Sequence, residues 1–223
     1  MQDDSGIRRV LARGGIYAAV QSLAGANRAR RWLAGHFWRA TSGTKVIDVG
    51  CGTGEVLDFL PTSVRYVGFD LSAQYIGHAR QRYGARGDFL VGTAADFLAH
   101  PDSRLADADL VLCNGLLHHL DDAEVLDVFR LAARLLKPTG RMVCLEPTTL
   151  AHQVPWSRWM MSQDRGKNIR QEHQWKSLAA RAFPSFETHI LTGLYRIPYT
   201  HIVIECSMTP DSITPLPPLA ATS

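Results

Sequence analysis

The chain has 223 residues, of which 46% are hydrophobic and 20% are charged, and its formal net charge is +3. These values are typical of one soluble domain that is long enough to bury a sizeable core. The small net charge gives no argument for a nucleic-acid partner, and no segment approaches the roughly 20 apolar residues that a membrane-spanning helix needs.

The cysteines indicate neither a zinc site nor a disulfide framework. They stand far apart without a CxxC pair, at Cys51, Cys113, Cys144 and Cys206. Four reduced thiols are typical of a cytoplasmic protein, and the N-terminal residues lack the continuous apolar stretch of a signal peptide. We therefore expect a cytoplasmic protein with no bound metal.

Residues 5–40 are predicted to be helical, in two pieces broken near Gly25. The basic residues before position 41 are Arg8, Arg9, Arg13, Arg28, Arg30, Arg31 and Arg39. They face only Asp3 and Asp4 in the same segment. A solvated helical face explains this charge, and docking on an anionic or lipid-like surface is the alternative.

An apolar run, a glycine-rich turn and an amphipathic segment follow one another in residues 45–60, which read KVIDVGCGTGEVLDFL. The run predicts a buried parallel strand, and the glycines at positions 50, 52 and 54 predict a tight turn. Thr53 is the expected N-cap of a following helix. This order brings backbone N–H groups close to a ligand at a helix N-terminus.

Acidic residues distinguish this turn from a diphosphate site. Glu55 stands where a dinucleotide fingerprint needs its third glycine, so the turn does not match a pyrophosphate site. Asp48, directly before the turn, can accept hydrogen bonds from a cationic amine. Asp70 lies 20 positions after Gly50, where a carboxylate reaches ribose hydroxyls in nucleotide-binding βαβ units.

Strands and helices alternate along the rest of the chain. Further strands are predicted at 65–69, 88–91, 107–113, 141–146, 185–191 and 199–207, and helices at 72–83, 121–136 and 172–183. The alternation predicts a doubly wound α/β sheet of about seven strands, mostly parallel, with an antiparallel edge formed by the last two. The polar positions at the carboxyl ends of the strands, where ligands of such sheets bind, are 48–54, Asp70, 93–96, 114–119 and Glu146.

Four ordered motifs resemble those of class I S-adenosylmethionine-dependent methyltransferases. They read VIDVGCGTGEVLDFL, YVGFDLS, VLCNGLLHHLDD and LLKPTGRMVCLEP, and the match covers residues 45–147. The resemblance implies a Rossmann-like fold with S-adenosyl-L-methionine as the methyl donor and S-adenosyl-L-homocysteine as the product.

The resemblance also implies a set of donor contacts. These are Asp48, Gly50, Cys51, Gly52, Asp70, Leu71, Thr93, Ala94, Asp96, Asn114 and Gly115. Asp48 and the turn backbone would hold the methionine moiety, with the Asn114 carbonyl near its amino group. Asp70 would take both ribose hydroxyls, and Leu71 would pack on the adenine.

At the adenine end the chain departs from the family pattern. The family often has an acid after the third strand that accepts a hydrogen bond from the adenine amino group. Here the aligned residue is Thr93, and Asp96 follows three positions later. Either Asp96 bends back to the adenine, or Thr93 and the Ala94 N–H suffice.

Two adjacent histidines, His118 and His119, follow the fourth strand on the donor side. Where the acceptor is a hydroxyl, a general base removes its proton, and one of these histidines is the candidate. The alternative is that one of the pair only packs or bonds the backbone, and a catalytic role for both at once is not expected.

Acceptor contacts are expected outside the motifs. The candidates are Tyr17, Trp156, Arg165, Arg170 and Tyr199. An arginine could orient an acceptor carboxylate or phosphate, and the aromatic residues could wall an apolar pocket. The alternatives are an exposed salt-bridged loop and ordinary core packing.

We expect a methyltransferase that methylates an oxygen atom of a small apolar or aromatic metabolite. The alternatives are an RNA methyltransferase that uses the basic N-terminal segment, and a non-catalytic protein that binds the donor. Residues 113–116 read CNGL in place of the Asn/Asp-Pro-Pro-aromatic motif of base-methylating enzymes, so a DNA partner is not expected. RNA is the less favoured partner, and a homodimer is left open.

One domain is expected to span residues 1–208. It divides into a helical cap (1–40), a donor-binding core (41–147) and an acceptor-side segment with the last strands (148–208). Residues 209–223 contain four prolines and are predicted to be disordered.

Overall fold

The computed structural model describes residues 25–150, 168–195 and 200–213. The strands are β1 (Lys45–Val49), β2 (Arg65–Asp70), β3 (Gly87–Val91), β4 (Ala108–Asn114), β5 (Leu136–Pro147), β6 (Ser185–Thr192) and β7 (Thr200–Ser207). The α-helices are α1 (Ala26–Leu33), α2 (Ala73–Tyr83), α3 (Ala94–Ala99), α4 (Asp122–Leu135) and α5 (Glu172–Ala179). None of these described helices is long and apolar enough to cross a membrane.

The seven strands form one sheet in the order β3-β2-β1-β4-β5-β7-β6. The first five strands run parallel, and β7 is antiparallel to both β5 and β6. This arrangement confirms the predicted doubly wound sheet with an antiparallel edge. Because β1 and β4 are neighbours although they are not consecutive in the chain, the strand order reverses between them, and such a switch point is where open α/β sheets bind ligands.

A hydrophobic layer covers each face of the sheet. On one face, α4 and α5 pack against Val111, Cys113 and Cys144. On the other face, α1, α2 and the π-helical turn Ala34–Trp38 pack against Leu110, Leu112 and Val143. Successive side chains of a strand point to opposite faces, so side chains at positions 48, 70 and 114 project toward the face that α1 covers.

The local structure differs from the prediction after the glycine turn. Gly54, with φ of 80°, precedes a 3-10 helix at Glu55–Phe59, so Thr53 is not the cap of an α-helix. A Cβ atom on Gly54 would lie 3.0 Å from the Phe89 ring. The chain therefore needs glycine here to turn tightly against β3.

Several element ends also differ. Strand β5 begins at Leu136, directly after α4, with a register irregularity against β4 between Ala108 and Leu110. Helix α5 ends at Ala179, short of the predicted position 183. Within the segment predicted to be disordered, the structure describes a 3-10 turn at Pro210–Ser212, followed by a buried Ile213.

Candidate active site

The glycine turn bends sharply at the carboxyl end of β1. Gly50 and Gly52 have φ values of 69° and 54°, and residues that carry a side chain rarely adopt such a backbone conformation. The N–H groups of Gly50 and Cys51 donate to the Phe69 carbonyl oxygen at 2.8 and 3.0 Å, which anchors the turn to β2. A Cβ atom on Gly50 would lie 2.8 Å from Leu116 Cδ2, so the close packing of Leu116 against the turn requires glycine here, whereas a Cβ atom on Gly52 would meet nothing within 4 Å.

Asp70 connects the turn to the end of β2. Its Oδ2 accepts from the Gly52 N–H at 3.0 Å, and its Oδ1 accepts from the Ser72 N–H at 2.8 Å. A carboxylate has about four acceptor positions, so both oxygens can each accept another hydrogen bond. The neighbouring Leu71 is 69% exposed, which is unusual for a leucine and leaves it able to pack on a ligand.

Asp48 is buried below the turn, and Tyr66 donates to its Oδ2 at 2.7 Å. Burial raises the pKa of Asp48 to about 7, against the opposing effect of the Tyr66 hydrogen bond, while Asp70 raises it further. A carboxyl in this state is readily ionised by a nearby cation. Burial also raises the pKa of the Cys51 thiol, which leaves it a poor nucleophile.

At the predicted adenine end, Thr93 and Asp96 form a capping box for α3. Thr93 Oγ1 and N donate to Asp96 Oδ2 at 2.7 and 2.9 Å, and the Asp96 N–H donates back to Thr93 Oγ1. These hydrogen bonds lower the pKa of the exposed Asp96. Ala94 is buried in the first turn of the same helix. Both alternatives for adenine binding stay predictions.

Glu146 organises the loop after β4 from the end of β5. The fully buried carboxylate accepts from the N–H groups of Leu116, Leu117 and His118, at 3.0, 2.8 and 3.2 Å. It lies 2.7 Å from Nδ1 of His118. Because Glu146 already acts as the acceptor for three amides, Nδ1 donates to it, and a neutral ring then carries its lone pair on Nε2.

The two histidines therefore differ. His118 is 7% exposed and held by Glu146, whereas His119 is exposed, with its ring centroid 4.0 Å from that of His118. The Glu146 carboxylate fixes the tautomer of His118. Sequence reasoning placed Glu146 on the rim without a role, because only the folded sheet shows that β5 ends beside this loop.

Arg170, a predicted acceptor contact, is buried and makes its described hydrogen bonds within the protein. It is 5% exposed and donates to the Leu117 and Leu120 carbonyls at 3.0 and 2.9 Å and to Asp122 at 2.9 Å. A further bond reaches the Asn168 carbonyl, and the guanidinium lies 5.0 Å from the Trp175 ring centroid. These contacts engage its donors inside the protein, so Arg170 positions the histidine loop.

Glu55, the residue in place of a third glycine, pairs with Arg30 of α1 at 2.8 Å. The Arg30 guanidinium also lies 6.0 Å from the Phe59 ring centroid. This pair ties α1 to the segment after the glycine turn. Sequence reasoning missed it, and the only available signal was the basic character of the N-terminal segment.

Asn114 ends β4 beside the turn, and neither its Oδ1 nor its Nδ2 is accessible or hydrogen-bonded to any described residue. Gly115 follows with φ of 68°. The predicted contacts Tyr17, Trp156, Arg165 and Tyr199 lie outside the described residues. Within the described ranges, no group of three histidine, cysteine or acidic side chains could hold a metal.

Comparisons with known proteins agree with this geometry. Residues 46–140 match the family described as Methyltransferase domain. The chain is 34% identical over 106 residues to a ubiquinone biosynthesis O-methyltransferase of Xylella fastidiosa (strain 9a5c), covering 45% of this chain and 41% of the relative. It is 36% identical over 107 residues to the 27-O-demethylrifamycin SV methyltransferase of Amycolatopsis mediterranei (strain S699), covering 45% and 38%.

The chain thus spans less than half the length of these curated relatives. Among solved structures, the YcgJ protein of Bacillus subtilis superposes with a TM-score of 0.62 at 16% identity, covering 82% of this chain and 99% of that one. At that identity the likeness concerns the fold. Residues 46–140 therefore match a methyltransferase domain in sequence, and the curated relatives that align over about half of the chain are methyltransferases.

Proposed function

We propose that the chain transfers a methyl group from S-adenosyl-L-methionine to an oxygen atom of a small apolar or aromatic acceptor. One relative is named as a ubiquinone biosynthesis O-methyltransferase and another as a 27-O-demethylrifamycin SV methyltransferase, and these names support this class of acceptor. The observation that carries the proposal is the pairing of His118 with Glu146 on the same rim as Asp70 and the glycine turn. The buried, reduced state of all four cysteines supports a cytoplasmic location.

The residues present fit the donor. The open space beside Gly52, where an added Cβ atom would meet nothing within 4 Å, leaves room at the glycine turn, and the Asn114 amide has no hydrogen-bond partner among the described residues. Asp70 would accept from the ribose hydroxyls, the exposed Leu71 would pack on the adenine, and Asp48 would face the amino group. When bound, the donor supplies an electrophilic methyl group on a positively charged sulfur.

His118 then acts on the acceptor. Its Nε2 takes the hydroxyl proton while the acceptor oxygen forms the new bond to the methyl carbon, and the electron pair of the broken carbon–sulfur bond stays on sulfur. Glu146 holds the ring in the tautomer that this step requires and stabilises the imidazolium that results. The chain's main contribution is to orient the two reactants and exclude water.

Transfer of labelled methyl groups to a panel of phenols and to fractionated metabolite extracts tests this function. We expect a labelled product of low molecular mass, and a His118→Ala variant that loses about 10²–10⁴-fold in turnover while keeping its affinity for the donor. His119→Ala is the matched control and should lose little. Label in bulk RNA alone, or donor binding without any labelled product, would contradict the proposal.

Glu146→Gln separates the base from its positioning residue. The glutamine keeps the shape but presents an NH₂ group to the loop and removes the negative charge beside the imidazolium, so turnover should fall while donor affinity stays nearly unchanged. If His118→Ala and His119→Ala both keep full turnover, the acceptor needs no enzymatic base, and this mechanism is wrong.

A further inference from the structure

Strand β6 forms one edge of the sheet, because it is last in the strand order and pairs with β7 alone among the described strands. Every residue of β6 except Leu191 is at least partly exposed, whereas every residue of β7 is buried. The eight residues of β6 present a row of backbone N–H and C=O groups to which another strand can pair. This edge is therefore a candidate interaction surface.

The side chains of β6 differ between the two faces of the sheet. Phe186, Thr188 and Ile190 pair with residues of β7 that belong to the core under α4 and α5. Phe186 and Ile190 pack against that core without being fully buried. Glu187 and His189 lie on the face that α1 covers. Thr188 is thus flanked by an acid and an imidazole on one face and by two hydrophobic residues on the other.

This order is complementary to itself when two copies of β6 pair in antiparallel fashion around Thr188. A two-fold axis perpendicular to the sheet places Glu187 of each copy opposite His189 of the other. It also places Phe186 of each copy opposite Ile190 of the other. Opposite residues have Cβ atoms about 4.5–5.5 Å apart, and pairs of opposite charge or of an aromatic with a β-branched residue are favourable. Both kinds of pair occur twice in this register.

The neighbouring registers lack this complementarity. An axis at Glu187 places two carboxylates opposite each other, and an axis at His189 places two imidazoles opposite each other. The Glu187 side chain is 46% exposed, and its carboxylate lies 3.7 Å from His189 Nε2 of its own chain, too far for a hydrogen bond. The carboxylate therefore retains acceptor capacity for the imidazole of a second copy.

We propose that the outer edge of β6 pairs with β6 of a second copy of this chain, in the antiparallel register centred on Thr188. This inference goes beyond the proposed function and does not depend on it. Because the axis reverses the strand direction, the carboxyl ends of the parallel strands lie at opposite ends of the joined sheet, and the two candidate active sites stay separate. Pairing of single strands is a small interface, so the dimer is weak.

Disulfide trapping tests the register directly. Thr188→Cys places two cysteines opposite each other with Cα atoms about 4.5–5.5 Å apart, a distance that a disulfide spans. Oxidation of the two thiols by diamide should therefore give a covalent dimer on a non-reducing gel. Thr192→Cys is the matched control on the same strand, because its Cα atoms would lie about 27 Å apart across the axis. The natural cysteines are buried, so the natural chain should give no covalent dimer.

Sedimentation velocity measures the non-covalent dimer. Glu187→Lys places a cation opposite His189 twice, so the dissociation constant of the dimer should rise about fivefold or more. Asp88→Lys is the matched control, because Asp88 is an exposed acid on β3, at the other edge of the sheet. This substitution should leave the dissociation constant unchanged.

Three results would overturn the proposal. The first is a folded Thr188→Cys variant that forms no covalent dimer. The second is equal trapping of the two cysteine variants, which would indicate random collision. The third is an equal effect of the two lysine substitutions on the dissociation constant, which would show that β6 is not the contact.

Discussion

Two regions of the sheet, the glycine turn with the ends of β1 and β2 and the β5–β7 region, are held together by different kinds of contact. Around the glycine turn, polar contacts join residues close in the chain: Asp70 bonds Ser72 and Gly52, which are 2 and 18 positions away. On the β5–β7 side, Glu205 accepts from Arg141 and Arg39, which are 64 and 166 positions away. The contacts around the glycine turn therefore belong to a local sequence motif, whereas the contacts of Glu205 form only when distant segments of the chain pack together.

The difference also separates function from stability. Asp70 is partly exposed on the rim and retains acceptor capacity, which suits a ligand site. Glu205 is fully buried in β7, below the π-helical turn, and both of its arginine partners bond Oε2 at 3.0 Å. Burial raises the pKa of Glu205, although both arginines oppose the effect. We expect substitutions on the two sides to affect different measurements.

The largest expected effect is on folding. Glu205→Ala removes the carboxylate between Arg39 and Arg141 and leaves two partly buried cations beside each other. The free energy of unfolding should therefore fall by about 3–5 kcal/mol. Denaturant titration followed by circular dichroism measures this change. Glu187→Ala, at a half-exposed position opposite Glu205 on β6, is the matched control and should change stability by less than about 1 kcal/mol.

A loss below about 1 kcal/mol in Glu205→Ala would show that the buried cluster adds nothing to stability. The contrast between the two sides would then be one of chain distance alone.

The next effect is on donor binding. Asp70→Ala removes the acceptor that we propose for the ribose hydroxyls and also frees the Gly52 N–H. Because each charged hydrogen bond is worth about 1.5–3 kcal/mol, the dissociation constant for S-adenosyl-L-homocysteine should rise at least about tenfold. Calorimetric titration checks it. Asp102→Ala is the control, because that carboxylate caps a turn before β4, at the opposite end of the strand. Equal affinity in the two variants would exclude the ribose role.

A smaller effect depends on pH. Because burial raises the pKa of Asp48 to about 7, the free protein holds a proton there below that pH. An ammonium group favours the ionised carboxyl, so the binding of S-adenosyl-L-homocysteine should release a proton. The affinity for this ligand should therefore rise by up to about tenfold per pH unit from about pH 5.5 and level off above about pH 7.

Calorimetry in buffers of different ionisation enthalpy measures the released proton. Asp48→Asn and the ligand 5′-methylthioadenosine are the two controls, and both should give a flat profile. A flat profile for the natural chain with S-adenosyl-L-homocysteine would show that Asp48 does not face the amino group.

Much of the donor side could be predicted from sequence because its signals are local. The glycine spacing, the acid at position 48 and the acid 20 positions after Gly50 each imply a place in a strand or turn. The doubly wound sheet followed from the alternation of strands and helices, and its antiparallel edge followed from the two late strands. Thr53 was assigned the wrong capping role because Gly54 is held against Phe89, a contact that the sequence does not reveal.

The other side could not be predicted in the same way. Glu146 and His118 meet only because β5 lies beside β4, and Arg170 looked like an exposed loop residue until its partners in the histidine loop were placed. The sequence alone does not show whether a charged side chain is exposed or buried among carbonyl groups. Its partners are what distinguish a binding residue from a positioning one.

The central claim is that an adenosyl ligand with an amino-acid end lies across the switch point between β1 and β4. Calorimetric titration of the folded natural chain with S-adenosyl-L-homocysteine tests it most directly. The account predicts saturable binding of one molecule per chain that is tighter than the binding of 5′-methylthioadenosine. Absence of binding by a chain with intact circular dichroism, or equal affinity for the two ligands, would contradict it.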